Sequence, residues 1–97
     1  MRAVSSSPDP MEQLRARFRD RLGQERMALA QALREGDSGA LRAICHRIAG
    51  AGGMFGYPNL SGRASDVEAA VDDGVPATEL QMRTAALLSS IDEALAR

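Results

Sequence analysis

Helical spacing of apolar residues is the feature that most limits how this 97-residue chain can fold. Four segments place apolar residues three and four positions apart, which is the pattern of an amphipathic helix with one buried stripe. No segment shows the strict alternation or the β-branched runs that are typical of strands. Because short turns join the four segments, the sequence predicts an all-α, antiparallel up-down four-helix bundle, with or without an extra N-terminal helical segment.

The first helix has clear start and stop signals. Asp9 can cap its N-terminus, and a proline follows at the first helical position. The apolar stripe then extends to about Glu35, either as one long helix or as two pieces separated by a kink near Gly23. We expect residues 1–8, which are rich in serine, to be a mobile N-terminal segment, and residues 9–97 to form the bundle domain.

The segment between Asp37 and Gly56 contains the only histidine of the chain, His46. At about 100° per residue, the helix has one apolar stripe on the side opposite His46. That stripe comprises Leu41, Ile44, Ile48, Ala51 and Phe55. The face around His46 carries Gly39, Arg42, Gly50 and Gly53. The sequence therefore predicts an exposed histidine beside an arginine and several residues without side chains.

The glycines leave two alternatives for where this helix ends. It can stop at Ala49 with Gly50 as its C-terminal cap, or it can continue through the glycines. A glycine inside a helix costs about 0.8–1 kcal/mol relative to alanine, which favours the first alternative. Phe55 stays in phase with the apolar stripe, so we expect the second alternative, a helix that continues through the glycines. A continued helix at that cost suggests that another molecule approaches His46 closely.

His46 is a candidate nucleophile. A neutral imidazole can attack the phosphorus of an acyl phosphate, and histidine is the side chain that most often changes its charge near neutral pH. Arg42 and Arg47 lie close enough in sequence to bind phosphoryl oxygens. The alternatives are an ordinary exposed histidine and solvated arginines on a polar helix face.

One stretch resembles the histidine-containing phosphotransfer (HPt) domain family. It contains the sequence from His46 to Gly50, then Gly56 and, on the next helix, Leu60 and Ala64 followed by Val67 and Glu68. The family signature is a histidine, a lysine three residues later, two glycines and a Leu…Leu-Glu run. Here the lysine position holds alanine.

The missing lysine, replaced by Ala49, leaves the charge beside a phosphohistidine without its usual source. Arg42 is one candidate to supply it, and Arg63 on the third helix is a weaker one. Glu68 occupies the position of the family glutamate, and we interpret it as a surface or helix-pairing carboxylate.

The resemblance implies a phosphorelay intermediate in two-component signalling. His46 would accept a phosphoryl group from the aspartyl phosphate of a receiver domain and pass it to the aspartate of another receiver. Gly50 and Gly53 would let the loops of the partner approach the imidazole. The expected partners are response-regulator receiver domains, with a hybrid histidine kinase as a further candidate.

The chain itself would bind no cofactor or metal, because Mg²⁺ would belong to the partner receiver. No nucleotide-binding loop is present in the sequence, so no independent kinase activity is expected. Two alternatives remain: a non-catalytic helical module that binds receivers, and the dimerisation domain of a histidine kinase.

Composition excludes several other classes of function. A net charge of −1 and 3% aromatic residues argue against a nucleic-acid partner. The lone Cys45 can form no internal disulfide, and we expect a buried, inert thiol. No apolar run is long enough to predict a membrane span or a signal peptide. We therefore expect a cytoplasmic protein without a membrane partner, and the resemblance to the HPt family implies a monomer.

Overall fold

A computed structural model describes residues 9–96 as four α-helices, with no strand among these residues. The helices are α1 (Pro10–Glu35), α2 (Ser38–Met54), α3 (Pro58–Asp73) and α4 (Ala77–Ala96). The predicted all-α fold is confirmed. The predicted mobile segment 1–8 lies outside the described residues, as would any helical segment before α1.

The four helices are arranged as a closed ring. α1 packs on α2 and α4, and α3 also packs on α2 and α4, whereas the backbones of the diagonal pairs stay apart. Since each connection is only two or three residues long, successive helices run antiparallel. This is the predicted up-down four-helix bundle.

α1 begins and ends at the predicted positions. The carboxylate of Asp9 accepts a hydrogen bond from the backbone N–H of Met11 at 3.1 Å. Gly36 ends the helix in the left-handed conformation with φ 67°, which a glycine adopts without strain. The helix is unbroken through Gly23, which is the single-helix alternative.

α2 continues through its glycines to Met54, so the predicted continuation is confirmed and an end at Ala49 is wrong. Phe55 caps the helix, and its ring lies 5.3 Å from the ring of Phe18 on α1. The aromatic contact between α1 and the end of α2 explains why Phe55 remains in phase with the apolar stripe. Gly56 then turns the chain with φ 85°.

The core lies along the axis of the bundle and receives side chains from every helix. The stripe predicted for α2 is buried at Leu41, Ile44 and Ile48. Cys45 is fully buried beside them, and desolvation raises the pKa of its thiol to about 12. The thiol therefore stays protonated at neutral pH, in agreement with the predicted buried cysteine. No helix among the described residues has the length and apolar character needed to cross a membrane.

Candidate functional site

His46 lies near the middle of α2, on the side of the helix that faces away from the core. Its side chain is 74% exposed, whereas Cys45, the residue before it, is fully buried. This contrast follows from the helical repeat, which turns successive residues by about 100°. The described residues therefore present a single imidazole to solvent, held on a helix whose other face is fixed in the core.

One carboxylate orients the imidazole. Oε2 of Glu68, on α3, lies 2.9 Å from Nδ1 of His46. An ionised carboxylate only accepts hydrogen bonds, so in the neutral ring this contact favours the tautomer with its proton on Nδ1. Nε2 then carries the free lone pair, which is the arrangement that a nucleophilic imidazole requires. The side chain of Glu68 is only 17% exposed, so it is partly enclosed between α2 and α3.

Arg42 lies one turn before His46 and is bound to α3. Its Nε donates to Oδ1 of Asp72 at 2.7 Å, and its Nη2 donates to Oδ2 at 3.2 Å. The same Nη2 lies 3.6 Å from Oε2 of Glu68. The hydrogen bonds with Asp72 raise the pKa of Arg42 and lower the pKa of Asp72. The guanidinium is therefore shared by two carboxylates of α3.

Arg47 points to the opposite neighbour of α2. Its Nε and Nη2 donate to the two carboxylate oxygens of Glu25 on α1, each at 3.1 Å. This contact raises the pKa of Arg47. The structure thus separates the two predicted phosphoryl ligands, because Arg42 binds α3 and Arg47 binds α1.

The glycines after His46 differ in what surrounds them. A Cβ at Gly50 would meet no atom within 4 Å, so this position is open. A Cβ at Gly53 would lie 3.6 Å from Oγ of Ser61, so Gly53 faces the edge of α3. Gly52 is buried, and a Cβ there would lie 3.4 Å from the backbone nitrogen of Ser61 and 3.5 Å from the carbonyl oxygen of Tyr57. A Cβ at Gly52 would therefore be in van der Waals contact with the backbone of α3, and a larger side chain would have no room there.

Ala49 occupies the position of the family lysine, and its carbonyl oxygen accepts a hydrogen bond from Oγ of Ser61 at 2.7 Å. Arg63, the weaker candidate to replace the lysine, lines a groove between α3 and α4 together with Ser90 and Glu93. Glu68 and Asp72 line the other flank of α3, where α3 meets α2. The structure does not bring Arg63 to His46.

Sequence reasoning missed the role of Glu68, which we interpreted as a surface or helix-pairing carboxylate. It does pair two helices, but its partner is the imidazole of His46. Asp72, one turn later on α3, was not singled out at all. The signal that could have found both is the four-residue spacing of Glu68 and Asp72, which repeats the spacing of Arg42 and His46.

No cluster of metal-ligating side chains occurs in residues 9–96. The comparisons with known proteins give one match. The family model described as Hpt domain matches residues 13–97, which is most of the chain. No curated protein and no solved structure matches the chain.

Proposed function

Because the chain belongs to the Hpt domain family, which supports a phosphotransfer role in two-component signalling, we propose that His46 is its phosphoryl acceptor. In this proposal His46 receives the phosphoryl group from an aspartyl phosphate of one receiver domain and returns it to the aspartate of another. The observation that carries the proposal is the contact between Nδ1 of His46 and Oε2 of Glu68 at 2.9 Å.

The contact with Glu68 makes one nitrogen of the exposed ring available for attack. The Nε2 lone pair of His46 forms a bond to phosphorus while the bond from phosphorus to the aspartate oxygen breaks. The receiver carboxylate leaves with the electron pair of that bond. Nδ1 keeps its proton throughout, so the phosphorylated ring is cationic, and the carboxylate of Glu68 offsets that charge. Transfer to the second receiver is the reverse reaction.

The receiver would approach α2 from the side of His46 and Gly50. Gly50 supports this direction because it is exposed and has open space where a side chain would lie. Gly53 is also exposed and presents only backbone to a partner. In this proposal Mg²⁺ and the acidic residues around it would belong to the receiver.

The test is phosphotransfer from a panel of phosphorylated receiver domains. We expect the wild-type chain to gain a label that is labile in acid and stable in base, as a phosphorus–nitrogen bond is. His46→Gln should gain no label while it keeps the helical circular dichroism of the wild type. A mutant that is labelled as well as the wild type would contradict the proposal.

The same panel separates this function from a non-catalytic binding module. Such a module would bind a receiver, measured by titration calorimetry, without becoming labelled. The proposal requires both binding and label for at least one receiver. Sedimentation of the chain tests the remaining alternative, because a kinase dimerisation domain is an obligate dimer and we propose a monomer.

A further inference from the structure

We propose that Arg42 is a positioning residue that acts on His46 through Glu68, and that Asp72 holds Arg42 in place for this role. The inference rests on the proposed function, since it assigns a task within phosphotransfer at the same histidine. It replaces the interpretation of Arg42 as a direct ligand of the phosphoryl group.

The register between α2 and α3 brings the four side chains together. Arg42 and His46 are four residues apart on α2, and Glu68 and Asp72 are four residues apart on α3, so each pair spans one turn. Because the helices are antiparallel, His46 meets Glu68 at 2.9 Å while Arg42 meets Asp72 at 2.7 Å. The two contacts therefore form at adjacent levels of one helix interface.

Glu68 links the two levels. Its Oε2 accepts from Nδ1 of His46 at 2.9 Å and lies 3.6 Å from Nη2 of Arg42. The attraction of the guanidinium holds the carboxylate at the interface, where the imidazole reaches it. Without that attraction, the carboxylate is free to turn toward solvent. Nδ1 of His46 would then lose the acceptor that fixes its proton.

Asp72 fixes the guanidinium itself. It accepts from both Nε and Nη2 of Arg42, a bidentate geometry that sets the direction of the planar group as well as its distance. The guanidinium of Arg42 is therefore bound to α3, on the side of the imidazole that carries Nδ1. The phosphoryl group would be bound at Nε2. Arg42 is therefore placed to act on the carboxylate of Glu68.

A double-mutant cycle tests this path. With a receiver domain that labels the wild type, we expect Arg42→Ala to slow transfer by about twofold to fivefold, the size of coupling across an exposed ion pair. Asp72→Asn should also slow transfer. In a Glu68→Gln background, Arg42→Ala should have no further effect, because glutamine keeps an acceptor for Nδ1 but not the charge. An equal effect of Arg42→Ala in both backgrounds would overturn the proposal.

A second measurement does not depend on phosphotransfer. Long-range ¹H–¹⁵N spectra of the unphosphorylated protein, at about pH 8.5 where an ordinary imidazole is neutral, report which nitrogen holds the proton. We expect the proton on Nδ1 in the wild type and a mixture of both tautomers in Arg42→Ala and Asp72→Asn. Unchanged tautomers in both variants would overturn the proposal.

The matched control is the pair formed by Arg26 on α1 and Asp92 on α4. It is also a bidentate contact between helices, at 2.6 and 2.9 Å, and it does not involve the residues around His46. Arg26→Ala should leave both the transfer rate and the tautomer of His46 unchanged. If His46→Gln is labelled, the proposed function fails. If His46 is labelled but the cycle is additive, only the role of Arg42 fails.

Discussion

Gly50 lies one turn after His46 on the exposed face of α2, and the space where its Cβ would stand is empty to beyond 4 Å. The backbone is helical there, so the missing side chain serves no turn and no packing contact within the described residues. A helical glycine is less favourable than alanine by about 0.8–1 kcal/mol. This position thus lowers the stability of the bundle directly beside the candidate nucleophile.

We expect Gly50→Ala to stabilise the protein by up to about 1 kcal/mol, because only the helix propensity changes. The midpoint of urea unfolding, followed by circular dichroism, should rise without a change in slope. A clearly lower midpoint would show that the backbone at Gly50 is not helical in solution.

Gly50→Leu should fold as well, since the side chain enters open space. Its bulk would stand beside His46 on the face from which we propose that the receiver approaches. Transfer from a phosphorylated receiver should therefore slow by about tenfold or more, as expected when an approach to the reacting atoms is displaced by an ångström or more. Transfer at the wild-type rate would show that the receiver docks elsewhere.

A larger side chain at Gly52 should destabilise the protein, whereas Gly50→Ala should stabilise it. A Cβ there already lies 3.4 Å from the backbone of α3, and the atoms beyond it would meet backbone that moves only if the two helices separate. We expect Gly52→Leu to lower the free energy of unfolding by about 1–3 kcal/mol, as overpacking does. Gly50→Leu is the matched control, since the same substitution two residues away in the same helix should not cost as much. Equal urea midpoints for the two variants would contradict the close packing at Gly52.

Local sequence signals were sufficient to predict the helices. Asp9 and Gly36 mark the ends of α1 by capping chemistry, which acts within a few residues and is legible from the chain alone. The continuation of α2 through its glycines was predicted because Phe55 stayed in phase. Its physical cause, the contact with Phe18, lies 37 positions earlier in the chain and appears only in the folded protein.

The ion-pair partners of the exposed charged side chains could not be predicted without the register between helices. Periodicity places Arg42 and His46 on one face of α2, but it does not say which residues of α3 stand opposite. Sliding one helix by a single turn would exchange Glu68 for another side chain. For the same reason the sequence could not separate Gly50, which faces open space, from Gly52, which faces the backbone of α3.

The ion pair of Arg42 and Asp72 predicts how stability changes in acid. Its hydrogen bonds lower the pKa of Asp72 below that of the unfolded chain, so the folded protein favours the ionised carboxylate. The stabilisation is complete well above the unfolded pKa of about 3.9, and it is lost as the pH falls through the lower pKa of the folded state.

The wild type and Asp72→Asn should therefore differ in urea midpoint at about pH 6, and the difference should shrink at about pH 2.5. Asp73, the next residue, has no ion pair among the described residues, so Asp73→Asn serves as the control for removing a carboxylate from this end of α3. A difference between wild type and Asp72→Asn that is constant with pH would mean that the contact with Arg42 does not favour the ionised form of Asp72.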